Sequence, residues 1–363
     1  MLRTSYCAVI AFAFALLLNG CGGGSTPGGD SKDATDKAKA SGKKVIAVIP
    51  KSTAHEFWRS VGEGAEAAAK ERNVEIVFKA GDPGDQPEAQ LSLVRQFIAQ
   101  KVDAMVLAPV HAKFLTAAVD DAKAAKIPLV IIDSGVDSDF NDYTAYVATD
   151  NKGGGAMCAQ WLAEALGGKG DVLLFKYAPG SASTQDREDG FRDEIKKSYP
   201  NIKIIQEKYA GATREDALRS ANELLAANPK FDGVFACNES SAVGMLQALR
   251  EKGLAGKVKY VGYDTAKVLL EAVENGEMVA VAAQNPYEIG KDGVTQAVNA
   301  LEGKPIDRHI EIAAKKMDKD AIKLQEELRK QEETDKKRAE EIERIKKENE
   351  KQVEEQRKQI EGK

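Results

Sequence analysis

Between Val45 and Leu301 the sequence keeps returning to one unit, a short apolar run followed by a stretch with helical spacing. That alternation is the pattern of βαβ units, and it restricts the chain to parallel sheets with helices on both faces. The apolar runs fall at 45–49, 75–78, 104–107, 129–132, 146–148, 172–175, 203–206, 233–236, 259–262 and 279–283. Helical patterns occupy 88–100, 115–124, 155–166, 191–198, 214–227, 242–252, 267–274 and 289–301. Val45, Ile46, Val48 and Ile49 form a nearly continuous run, as a strand covered on both faces does. Ten strands are many for one open sheet, and the run at 146–148 follows a loop, 134–143, with no helix before it. The chain is therefore expected to pass there from one α/β lobe into a second.

Polar residues recur at matching places. Lys51, His55, Phe57 and Trp58 follow the first strand, Asp133 follows VIID, Asp150 follows YVATD, Asn238 follows VFACN, Asp264 follows VGYD and Gln284 follows VAAQ. Ligands of open α/β sheets sit outside the carboxyl ends of strands, so these residues mark candidate binding edges. Each has a plainer explanation: Asp and Asn there cap the next helix, Phe57 and Trp58 pack in a first helical turn, and Lys51 pairs with a carboxylate. Together with Arg187 they would line one cleft with carboxylates, amides, cations and aromatic faces. That mixture suits a polyhydroxylated ligand, whose hydroxyls need donors and acceptors and whose C–H faces need apolar cover.

At VIAVIPKSTAHEFWRSVGEGAEAAAKE, IPLVIIDSG, VATDNKGGGAMCAQWL, REDGF, GVFACNESSAVGMLQALREKG and VGYD the chain resembles the ribose-type periplasmic sugar-binding proteins, the type I solute-binding subunits of ABC importers. The resemblance spans about 44–305. It implies two doubly wound Rossmann-like lobes joined by a hinge, with hinge crossings near Thr149, near Gln284 and after Pro305. It implies lobes made of 44–149 with 285–307 and of 150–284 with 308–316. It also implies a sugar held by His55 (where the family has Asn), Phe57, Trp58, Asp133, Arg187, Asn238, Asp264 and Gln284, and closure that presents a surface to ABC permease subunits. Ser134 stands where ribose binders carry a second Arg, and 210–213 lacks their closing aromatic, so the resemblance extends to the ligand class and not to ribose itself. The Ile49-Pro50-Lys51 sequence also resembles autoinducer-2 binders of the same superfamily, in which that Lys touches a small furanosyl ligand. A sensory protein presenting its closed form to a membrane receptor is thus a second reading.

The ends carry other signals. Arg3 and the apolar run 6–18 read as a secretion signal too short for a comfortable membrane span. It ends in Leu18, Asn19, Gly20 and Cys21, which resembles the bacterial lipoprotein processing box. Cleavage would leave Cys21 as the first mature residue, its lipid holding an extracytoplasmic protein at a bilayer; the alternative is an ordinary secreted protein with a free Cys21. Residues 22–43 have the Gly, Ser, Pro and charge of a flexible tether. Cys158 and Cys237 sit in apolar patterns as buried thiols. At the other end, 317–363 is dense in Glu and Lys, with Glu326 and Lys330, Glu332 and Lys336, Glu343 and Lys347, and Glu354 and Lys358 at i,i+4. Its apolar positions are too irregular for heptads, so a solvated single helix is expected.

Other function classes find little support. The net charge of −5 argues against a nucleic-acid surface, and three His with no zinc spacing argue against a metal centre. No nucleophile elbow, phosphate loop or dinucleotide fingerprint is present, so neither an enzyme nor a cofactor is expected. A repressor-type regulator would need a DNA-binding helix pair where the signal and tether stand.

Overall fold

The computed structural model describes residues 31–81, 86–228 and 230–361. Two six-stranded sheets carry the fold. In the first lobe β1 (Val45–Ile49) lies between β2 (Glu75–Phe78) and β3 (Ala104–Leu107), and β4 (Leu129–Ile132), β5 (Ala145–Thr149) and β11 (His309–Ile312) extend the sheet beyond β3. In the second, β6 (Gly170–Lys176) lies between β7 (Ile202–Tyr209) and β8 (Gly233–Ala236), followed by β9 (Lys259–Tyr263), β10 (Ala280–Ala283) and β12 (Lys315–Met317). All pairings are parallel except that of β10 with β12.

The apolar runs are continuous because each central strand feeds two cores. Ile46 and Val48 pack with α2 (Glu56–Arg72) and α10 (Pro286–Leu301). Val45, Ala47 and Ile49 point the other way, toward α3 (Pro87–Ala99) and α4 (Thr116–Ala124). In the second lobe Val172 and Leu174 face α5 (Asn151–Leu166) and α6 (Ala182–Ser198), while Leu173 and Phe175 face α7 (Arg214–Ala227) and α8 (Glu239–Glu251). Alternation along a strand thus sends side chains to opposite faces, both covered.

Two expectations change. Residues 308–316, assigned to the second lobe, divide: β11 joins the first sheet beside β5, and β12 joins the second beside β10. Both are short edge strands of exposed and half-buried side chains, HIEI and KKM, so no apolar run announced them. Within 22–43, read as a tether, Ser31–Ala40 forms helix α1; Ala38 packs on the first lobe and the Thr35 hydroxyl donates to Gln100 Oε1 at 2.6 Å. Its Ala and Lys content supports a helix where the flanking Gly and Ser do not. The signal segment, Cys21 and 22–30 lie outside the described residues.

The chain crosses between sheets after β5, between β10 and α10, and between β11 and β12. At the first two crossings the Thr149 hydroxyl donates to Gln284 Oε1 at 2.7 Å. Beyond β12, Lys319–Glu361 is one 43-residue helix, α11. Ile322 enters the second-lobe core, and Leu324, Leu328, Ile342 and Ile345 are exposed. Of the expected i,i+4 partners, Glu343 and Lys347 come within 3.7 Å. Among the described residues no helix is long and apolar enough to cross a membrane.

Candidate ligand-binding cleft

The carboxyl ends of both sheets meet around a cavity of about 40 Å³. Lys51, His55, Phe57, Trp58, Asp133, Arg187, Asn238, Asp264 and Gln284 all line it, so of the candidate residues the structure leaves out only Asp150. Asp150 is instead the N-cap of α5, accepting from the Gly153 N–H at 2.9 Å. Tyr177, Ser183, Thr184 and Glu239 complete the lining and were not anticipated. Tyr177 continues β6 and was open to the same strand-end rule; it gives the second lobe an aromatic that 210–213 does not supply. Glu239 follows Asn238 and reads as an ordinary first-turn acid.

Opposite charges are balanced deep in this cavity. Lys51 Nζ lies 2.9 Å from Asp133 Oδ2 and donates to Ser181 Oγ at 3.2 Å and Ser183 Oγ at 3.1 Å, both across the cleft. Burial pushes the Lys51 ammonium below its ordinary range, and Asp133 opposes that shift. Arg187 donates from Nε to Asn151 Oδ1 at 2.8 Å and from Nη1 to the Cys237 carbonyl at 3.0 Å, with its guanidinium 3.9 Å from the Tyr263 ring centre. Asp264 Oδ1 accepts from Gln284 Nε2 at 2.6 Å, and Oδ2 accepts from the Glu239 N–H at 2.7 Å. Burial pushes its carboxyl up to about 6, against the pull of Arg187. Two cations, Lys51 and Arg187, therefore face two carboxylates, Asp133 and Asp264. Glu239 is separately engaged by the Arg214 guanidinium.

Local sequence explains these positions. Gly155 of α5 and Gly190 of α6 let the two helices touch: a Cβ on Gly155 would stand 2.0 Å from the Arg187 carbonyl, and one on Gly190 2.0 Å from that of Lys152. Within the glycine run at 153–155 it is thus Gly155 that lets Arg187 approach, while Gly154 makes room for the Tyr263 ring. Asn238 caps α8 in a capping box with Ser241, so the plainer explanation of its strand-end position holds beside its place in the lining. Asp264 caps no helix of its own but satisfies the first amide of α8. His55 is the N-cap of α2 without a side-chain cap bond, and burial lowers its pKa, leaving a neutral imidazole at pH 7. Trp58 is both first-lobe core and cavity wall, with Phe57 edge-on at 4.8 Å. Cys158 and Cys237 are buried and free.

Several hydrogen bonds cross between lobes. Besides the two from Lys51, the Ser183 N–H donates to Ser134 Oγ at 3.1 Å, the Ala112 N–H to the Gly180 carbonyl at 2.8 Å and the Phe57 N–H to Glu239 Oε2 at 3.3 Å. This is a closed arrangement. Among the described residues no group of three or more His, Cys, Asp or Glu could hold a metal.

Residues 46–305 match the sequence family described as periplasmic binding protein domain. The D-allose-binding periplasmic protein of Escherichia coli is 32% identical over 272 residues, covering 72% of this chain and 87% of that protein. A xylitol-binding protein of Mycolicibacterium smegmatis is 31% identical over 245 residues, 67% of this chain and 68% of that one. Among solved structures, an ABC transporter solute binding protein from Agrobacterium vitis with bound D-fucose superposes with a TM-score of 0.73 at 33% identity, covering 77% of this chain and 96% of that one.

Proposed function

Because this chain belongs to the periplasmic binding protein family, we propose that it captures a neutral sugar or sugar-like polyol between its lobes and hands it to the permease of an ABC importer. One observation carries the reading. The inter-lobe cavity is lined by buried donors and acceptors whose formal charges cancel, Lys51 and Arg187 against Asp133 and Asp264, beside the rings of Phe57, Trp58 and Tyr177. A charged ligand would leave one of these groups unbalanced in a desolvated site, whereas hydroxyls can donate to the carboxylates and accept from the cations. The relatives named above carry an aldohexose, a pentitol and a deoxyhexose in their descriptions, which is the same ligand class.

Capture proceeds by hinge closure. The cavity is small and roofed by both lobes, so a ligand enters an open form and selects the closed one through contacts that only closure completes. Rotation at the three sheet-to-sheet crossings would separate Lys51 from Ser181 and Ser183, and Phe57 from Glu239. Lipid on Cys21 would hold this extracytoplasmic protein beside its permease; a Cys21→Ala chain is expected in the soluble fraction of fractionated cells, and membrane retention would contradict anchoring there.

Lys51, buried within the cleft, also favours a second reading, an autoinducer-2-type sensory binding protein that shows its closed form to a membrane receptor. A thermal-shift screen of residues 22–363 against pentoses, hexoses, polyols, nucleosides and autoinducer-2 with and without borate separates the ligands. A ligand at a hundredfold excess over Kd adds about 2.7 kcal/mol. A shift with sugars or polyols supports the importer reading, a shift with autoinducer-2 alone supports the sensory one, and silence across the panel contradicts both.

A further inference from the structure

A second chamber adjoins the first. It encloses about 260 Å³ against about 40 Å³, and the two share Phe57, Glu239, Asp264 and Gln284 as lining. Its other walls are Glu56 and Ser60 of α2, Thr265 and Ala266 before α9 (Lys267–Glu274), and Pro286 of α10. Both lobes contribute, and paired hydrogen bonds hold them together at its edge. The Phe57 N–H donates to Glu239 Oε2 at 3.3 Å, and in the reverse sense the Lys267 N–H donates to Glu56 Oε2 at 3.3 Å. Each is a carboxylate of one lobe on a free amide at a helix start of the other, a favourable place for negative charge. The chamber is therefore a feature of the closed form, not a surface groove on one lobe.

Its chemistry repeats that of the inner cavity. Hydroxyls of Ser60 and Thr265 and carboxylates of Glu56 and Glu239 stand beside the apolar surfaces of Phe57, Ala266 and Pro286. A ring held against Asp264 and Gln284 in the inner cavity has one edge toward this chamber, because those two side chains belong to both. A small polar compartment that shares four lining residues with a larger one of the same character suits a ligand longer than a single ring. We propose that the second chamber receives an O-linked substituent of the bound sugar, a second ring or a polyol arm, so that the protein takes glycosides or disaccharides as well as free sugars. This rests on the sugar-binding reading of the inner cavity.

The test is calorimetric titration of free pentoses and hexoses, their methyl glycosides, and disaccharides carrying the same sugar at the non-reducing end. Ser60→Phe fills the chamber from the first lobe and Thr265→Phe from the second, and neither residue lines the inner cavity. The native chain is expected to bind at least one glycoside or disaccharide within about tenfold of its parent sugar, and either variant that folds should weaken that ligand by about tenfold or more while leaving the parent within about threefold. Rejection of every substituted form by a native chain that binds the parent overturns the second chamber alone. Equal weakening of parent and glycoside in both variants overturns it as well. Failure of the native chain to bind any sugar removes the reading of the inner cavity, and this inference with it.

Discussion

The two lobes place an aspartate at the same point of the same architecture and then surround it differently. Asp133 follows β4 with φ 62°, and Asp264 follows β9, the corresponding fourth strand, with φ 71°. Each donates its main-chain N–H to the next strand, Asp133 to Val147 at 2.9 Å and Asp264 to Ala282 at 2.8 Å. A left-handed turn, which Asp tolerates better than most residues, brings both side chains to the cleft. There the likeness ends. Asp133 faces the Lys51 ammonium, whereas Asp264 is held by a neutral amide and a backbone N–H, with burial raising its pKa. A repeated scaffold sets position; neighbours set whether the group is half of an ion pair or a titratable acceptor.

Breaking that contrast should have its largest effect on stability. Asp133→Asn strands a buried ammonium and is expected to destabilise the chain by about 3 kcal/mol, while Asp264→Asn, which breaks no direct ion pair, should cost about 1 kcal/mol or less. Urea unfolding measures both, and equal losses would erase the distinction. On ligand affinity, Arg187→Ala and Asp264→Ala should each weaken binding by roughly 2 to 4 kcal/mol, because buried partners are left unpaired; calorimetry that finds native affinity takes the residue out of the site.

Smaller effects sharpen the comparison through pH. The Asp264 carboxyl rises from the ordinary 3.8 to about 6 on folding. The folded state then holds this proton more tightly than the unfolded one, so the group's contribution to stability is greatest below 3.8, declines as pH rises to about 6 and is level above. Ligand hydroxyls need the carboxylate, so affinity should move oppositely, rising through about pH 6. Asp264→Asn should flatten both slopes, and unaltered slopes would assign them to another group. Smallest is an optical signal: intrinsic fluorescence should respond to ligand through Trp58 and be lost in Trp58→Phe. A full response in that variant would come from Trp161, which packs in the second-lobe core away from the cavity.

The parts of this molecule legible in the sequence are those that burial writes into it. β1, β3, β4 and β8 are short apolar runs because both faces are covered, and the polar residues that follow such runs are conspicuous by contrast, which is how Asp133, Asn238, Asp264 and Gln284 could be found. β11 and β12 escaped because these edge strands are short and lack a run of adjacent apolar residues, unlike the edge strands β2 and β7. Glu239 escaped for another reason. Its role depends on Arg214 and on Phe57 of the opposite lobe, 182 residues away in sequence, and no local pattern reports such a meeting. The glycines at 153–155 were visible, but the purpose of Gly155, the close approach of α6 that seats Arg187, appears only with both helices in place.

Central to this account is a cavity whose balanced charges select a neutral polyhydroxylated ligand. Its most direct test is a pair of calorimetric titrations at pH 7.5, with the hexose giving the largest thermal shift and with its 6-uronate, which adds one negative charge to the same ring. The neutral sugar should bind at least about a hundredfold more tightly, since the added carboxylate would upset the formal balance of two buried cations and two buried carboxylates. Equal or tighter binding of the uronate would contradict the account, and would mean that Lys51 leaves Asp133, or Arg187 its neutral acceptors, for the ligand's charge.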